Sequence, residues 1–205
     1  MTRFAIIGGG GHAVSVLGMI PDGYEAAGYV DTVPSESFPL QWLGDDEAFM
    51  SRYPDMPVHI AVVMGCGGSL SVRRRLIERY AGYTSPALIS SSALVTPSSK
   101  IGDGCAIMHR AVVNGAEVGG YSVINTGAIL EHGVVAGSNL FVGPGAIVCG
   151  GVRIGDDVMI GAGAVVRNNI TIPSDTIIGM GSVVTDSISE PGVYAGVPAK
   201  LIKRL

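Results

Sequence analysis

Imidazole is the side chain whose charge changes closest to neutral pH, and the 205 residues contain only four of them: His12, His59, His109 and His132. His132 stands in Asn125-Thr-Gly-Ala-Ile-Leu-Glu-His-Gly133, directly after Glu131. A proton acceptor with a carboxylate next to it in sequence is equipment for general base catalysis. Neighbouring residues on an extended edge point apart, so Glu131 would bias the His132 tautomer only from the side. His12 lies inside Gly8-Gly-Gly-Gly-His-Ala13, where a phosphate or a sugar could meet it. His59 leads into an inner strand and reads as structural, and His109 reads as a surface or interface residue. No three histidines have zinc-ligand spacing, and Cys66, Cys105 and Cys149 are odd in number without a metal pattern. We therefore expect no metal and a reduced, cytoplasmic setting, with the cysteines mostly buried fillers. Cys149 makes a poor nucleophile because no histidine follows it at hydrogen-bonding spacing.

The element that must position His132 is a repeat of period six. Every sixth residue from Val118 is aliphatic, through Ile124, Leu130, Ala136, Val142, Val148, Ile154, Ile160, Val166, Ile172, Ile178 and Val184. The next residue is Gly at 119, 137, 143, 155, 161 and 179. Six fits neither the helical period nor that of an ordinary strand, but it is the signature of a parallel β-helix. Each edge turns one aliphatic inward and rounds a corner through small residues, three edges make a coil, and coils stack about 4.8 Å apart. The phase extends upstream through Val95, Ile101, Ile107 and Val113, one residue is missing before Val118, and about five coils result. A sandwich would instead alternate apolar and polar residues between regularly spaced turns.

Ahead of the repeat the pattern is α/β. Phe4–Ile7 reads as a short buried strand, the glycine run follows, and Val14–Ile20 reads as a helix. G-x-G-x-x-A between strand and helix, with Asp31 closing the next strand, suits a phosphate at the loop and a ribose hydroxyl at Asp31. A third strand, His59–Met64, leads to Gly65-Cys-Gly-Gly68 and a basic helix from Ser69 to Tyr80. Arg73–Arg75 read as a solvated helix face. Too little chain precedes Pro86 for a dinucleotide fold, so the domain holds one nucleotide and NAD is disfavoured. The expected organisation is residues 1–85 as a half-Rossmann α/β domain, 86–190 as the β-helix and 191–205 as a short basic tail.

The net charge of −4, with no basic cluster beyond Arg73–Arg75, argues against nucleic acid as a partner. No signal peptide and no apolar run of membrane-spanning length is visible, so no membrane is expected.

Taken together, Gly8–Ala13, Asn125–Ala128, Glu131-His132, the hexads and Gly-Val-Pro-Ala-Lys at 196–200 resemble the NeuD/PglD group of sugar O- and N-acetyltransferases. This resemblance, over essentially the whole chain, implies a left-handed β-helix, a homotrimer, acetyl-CoA between neighbouring β-helices and a nucleotide-linked amino sugar on the N-terminal domain. It implies His132 as general base, with Glu131 and Asn125 orienting the base or the sugar. Gly10, Gly11, His12, Asp31, Thr32 and Gly65 would contact the nucleotide sugar. Phe141, Gly150, Gly161, Ala162, Gly179 and Met180 would line the pantetheine arm, with Lys200 and Lys203 near the CoA phosphates. The chain departs from the group in having Gly133 where an acidic residue commonly follows the base, and Phe141 where a second histidine usually sits. The implied activity is N-acetylation of an amino-deoxy sugar. O-acetylation of a sialic-acid-type sugar and a non-catalytic binding scaffold are the alternatives.

Overall fold

The computed structural model describes residues 1–63 and 71–205. It divides into two compact units, Met1–Leu88 and Ile89–Leu205.

The second unit is a parallel β-helix. Two-residue strands stack into three faces, parts of sheets of eight, six and five strands, and every coil-to-coil pairing is parallel. Ile107, Ile124, Val142, Ile160 and Ile178 form one inward column, all of them 0% exposed. Val113, Leu130, Val148 and Val166 form the second, and Val118, Ala136, Ile154 and Ile172 the third. Backbone bonds tie each coil to the next, as where Val123 N donates to Leu140 O at 2.7 Å and Asn125 N to Val142 O at 2.9 Å. That ladder leaves little space between coils. A Cβ on Gly119 would run into the backbone of Gly137 one coil on, so the hexad glycine here is a steric requirement of stacking.

The missing residue before Val118 is taken up at a corner. Val113 pairs with Leu130 and Val118 with Ala136, so five residues in one coil face six in the next. That corner carries a stack of left-handed conformations at Gly115, Gly133, Gly151 and Asn169, with φ of 64°, 71°, 71° and 58°. Beyond the last hexad the chain does not trail off. Gly192–Ala195 pairs parallel with Thr176–Ile178, and Lys200–Lys203 folds back antiparallel on it, so the basic tail extends a sheet.

The first unit holds a parallel sheet of β1 (Thr2–Ile7), β2 (Tyr24–Val30) and β3 (Val58–Ile60), in the order β2-β1-β3 among the described residues. Its helices are α1 (Gly11–Leu17), α2 (Asp46–Arg52) and α3 (Ser71–Arg79). α1 starts and ends three residues earlier than the sequence suggests, because Gly10 is extended and the helix closes at Gly18. β3 stops at Ile60, short of the expected Met64, which lies outside the described residues.

One expectation fails outright. Arg73 is not on a solvated face but 1% exposed, and its Nη1 donates to Ile60 O at 2.7 Å and Val62 O at 2.6 Å. Among the described residues the carbonyls of Ile60, which ends β3, and Val62 have no strand partner, and a guanidinium satisfies them with charge-assisted bonds. Of the three arginines only Arg75 is exposed. No described helix is long and apolar enough to cross a membrane.

Leu130, wholly buried two residues before His132, tests the column. Leu130→Ala should lower stability by about 2–5 kcal/mol, read as a reduced urea midpoint of the β-helix circular-dichroism transition.

Candidate active site

His132 projects from the corner between the face of Leu130 and that of Ala136, and is exposed. Directly above it in the stack lies Gly150. A Cβ on Gly150 would come within 2.7 Å of the imidazole Cε1 and 2.9 Å of Nε2, so the ring lies flush on a position that only glycine leaves free. Among the described residues no hydrogen bond reaches either ring nitrogen.

Glu131 acts differently from the expected tautomer control. Its Oε2 accepts from Asn114 Nδ2 at 2.9 Å and, over a long 3.4 Å, from the His132 amide. The carboxylate therefore clamps the corner's backbone to the preceding coil, and the charge-assisted bond is worth about 1.5–3 kcal/mol. Asn114 went unnoticed in sequence.

Asn125 belongs to a different corner. Its Oδ1 accepts from Thr126 N at 2.7 Å, and within the chain the whole Ile129–Leu130 edge separates it from His132. Gly161, Ala162, Gly179 and Met180 continue the Asn125 corner coil by coil, each pair following the inward Ile160 or Ile178. Met180 is 78% exposed there. A Cβ on Gly161 would meet Met180 N at 2.6 Å, so this glycine serves the stacking of coils and not only an open groove. The chain thus gathers Glu131, His132 and Gly150 on one corner, and Asn125, Gly161, Ala162, Gly179 and Met180 on another. Phe141 is 8% exposed, and Lys200 and Lys203 are exposed on the final strand. His109, expected at the surface or an interface, is half-buried in the single chain with its Nδ1 2.9 Å from Ser90 Oγ and 3.2 Å from Ser92 Oγ.

In the first unit, Asp31 organises the glycine loop. Its Oδ2 accepts from Gly9 N at 2.8 Å, while Oδ1 accepts from Thr32 N at 2.8 Å and Thr32 Oγ1 at 3.3 Å. Among the described residues nothing crowds Gly10 or Gly11 and nothing partners His12 Nε2. His12 is half-buried, and burial, reinforced by the Arg73 charge, lowers its pKa to about 4. His59 is wholly buried, its Nδ1 3.3 Å from Pro86 O, and the same two causes lower it to about 3. Gly65 lies outside the described residues.

Comparison with known proteins follows this geometry. The bacterial transferase hexapeptide family (six repeats) matches residues 133–168 and 151–186. A perosamine N-acetyltransferase from Caulobacter crescentus, solved with CoA and GDP-perosamine, superposes with a TM-score of 0.87 at 33% identity, over 98% of this chain and 96% of that one. The chain belongs to the hexapeptide-repeat sugar N-acetyltransferases. The acetyltransferase domain of PglB from Neisseria gonorrhoeae FA1090, solved with acetyl coenzyme A, superposes with a TM-score of 0.84 at 31% identity, covering 98% of both chains. WeeI from Acinetobacter baumannii AYE, at 21% identity, shares the fold with a TM-score of 0.79 over 98% of this chain and 100% of that one. No curated protein matches the sequence. These likenesses place the unit from Ile89 onward in the left-handed β-helix acyltransferase superfamily.

The two depressed imidazoles give this acetyltransferase a stability that depends on pH. Both rings are neutral in the fold but protonate near pH 6.5 in the unfolded chain, so unfolding takes up protons and stability falls as pH drops. The loss runs from 6.5 towards 4 and 3, at about 1.4 kcal/mol per pH unit per ring. Urea midpoints of the first unit, followed by the single tryptophan, Trp42, should fall below pH 6.5, and His59→Phe should flatten the slope.

Proposed function

We propose that this acetyltransferase transfers the acetyl group of acetyl-CoA to the amino group of a nucleotide-linked amino-deoxy sugar, with His132 as general base. The observation that carries this is the exposed His132 imidazole, held against Gly150 with both nitrogens unengaged. The C. crescentus enzyme was solved with CoA and GDP-perosamine, and two of its structures carry a histidine replaced by asparagine or alanine. The PglB domain was solved with acetyl coenzyme A. Both support the choice of donor and acceptor.

The transfer is direct. The sugar amine attacks the thioester carbonyl, a tetrahedral oxyanion forms, and the nitrogen's excess proton passes to His132. Collapse expels the CoA thiolate, which takes that proton from His132 to leave as the free thiol, with the N-acetyl sugar as the other product. Backbone amides stabilise the oxyanion, and one such donor is typically worth about 3 kcal/mol. The nucleotide binds at the Gly10-Gly11 loop, with Asp31, Thr32 and His12 at the ribose and phosphates. Ala162, Gly179 and Met180 run beside the pantetheine arm, and Lys200 and Lys203 meet the CoA phosphates.

The outer rows of the β-helix support the reading that the protein assembles as a homotrimer. Val112, Ile129, Ile147, Val165 and Val183 form an unbroken aliphatic row pointing outward on one face, whereas Lys100, Glu117, Arg153 and Thr171 dominate the equivalent row on another. An aliphatic stripe of that length is the expected surface for association between copies. Ile147→Asp should shift the mass measured by light scattering from three chains to one.

His132→Ala should lower turnover roughly 10²–10⁴-fold, measured as free thiol release from acetyl-CoA with a panel of GDP-, UDP- and dTDP-linked amino sugars. The KM for acetyl-CoA should barely move, and unchanged turnover would remove His132 from the mechanism. Gly150→Ala, whose methyl must displace the imidazole, should cost about 10²-fold in turnover with the fold retained. Wild-type rates in that variant would show that ring placement does not matter.

A further inference from the structure

We infer that Trp42 is the platform on which the nucleobase of the sugar nucleotide stacks. The inference rests on the nucleotide-sugar reading above and extends it to the recognition of the base. Trp42 is the only tryptophan in the chain and is 38% exposed. Scattered exposed apolar residues need no explanation, but this one is held in place from two sides. Tyr29 N donates to Gln41 O at 2.9 Å and Leu43 N to Tyr29 O at 2.8 Å, so Trp42 is bridged in parallel to Tyr29 of β2. Along that edge Leu43 turns inward, 7% exposed, and Trp42 turns outward by alternation. Its indole Nε1 then donates to the carbonyl of Asp31 at 3.0 Å, which fixes the ring as well as the backbone.

The partner in that bond decides the chemistry. Asp31 is the residue whose side chain tethers the glycine loop through Gly9, and it is the candidate for the ribose hydroxyls. A ribose at Asp31 carries its base on a neighbouring ring carbon, so the base must come to rest beside whatever adjoins Asp31. An immobilised, half-open indole adjoins it. Base-on-aromatic stacking uses the π-face that every base has, so Trp42 contributes affinity for nucleoside diphosphates with little selection among bases. Pre-fixing the ring lowers the ordering cost of binding.

The experiment uses the full chain and measures binding by equilibrium dialysis, with GDP, UDP and dTDP as probes and ribose 5-phosphate as the control without a base. Trp42→Ala should weaken each nucleoside diphosphate about tenfold or more and leave ribose 5-phosphate unchanged, while Trp42→Phe should stay within about threefold of the parent. In the parent protein, saturable quenching of Trp42 fluorescence should track the dialysis curve. If Trp42→Ala fails to fold, the Phe variant and the quenching titration decide. Nucleotide affinity unchanged in Trp42→Ala, an equal loss for ribose 5-phosphate, or binding without any fluorescence change would overturn the stacking role and leave the nucleotide reading standing. Absence of nucleoside diphosphate binding in the parent protein would overturn both.

Discussion

Everything in the β-helix depends on the backbone ladder between coils. Each coil donates to the next at 2.7–3.0 Å along its edges, as at Val123, Asn125 and Ile129, and the ladder fixes the height at which every residue stands. Inward positions must then be aliphatic and corners must turn within a few residues, so polar chemistry can live only where a corner releases a side chain outward. His132 occupies such a place. The glycine and asparagine stack at Gly115, Gly133, Gly151 and Asn169 repeats one backbone conformation coil after coil, and this repetition holds the His132 corner rigid.

The same ladder explains what was legible in sequence and what was not. Inward columns, corners and the short hexad before Val118 could all be counted from the aliphatic period, and His132 stood out as a polar residue without a structural use. Its surroundings were hidden, because they come from neighbouring coils. Gly150 lies eighteen residues after His132, a simple sum, yet its role is visible only when a Cβ is placed against the imidazole. Asn114 lies seventeen before Glu131, since the short corner shifts the register by one. Residue types grouped by sequence proximity, such as Asn125 with His132, were pulled apart by the intervening edge.

In the first unit the misjudged residue was Arg73, and helix geometry shows why. Successive residues on an α-helix turn by about 100°, so three arginines in a row sweep over half the circumference and cannot share one solvated face. One of them had to point towards the sheet, where the carbonyls of Ile60 and Val62 were without strand partners. Burial keeps His12 and His59 neutral, and that buried cation reinforces it. A charge run read from composition alone lacks this directional information.

No acidic residue follows His132. The position holds Gly133 at φ 71°, a left-handed turn that the coils on either side also make with glycine and a later coil makes with Asn169. The nearest carboxylate, Glu131, is committed to Asn114 one coil below and so stabilises the corner's backbone and not the ring. What then sets the imidazole's direction is contact, with the ring resting on the bare Cα of Gly150. A ring aligned by packing keeps both nitrogens free of partners among the described residues.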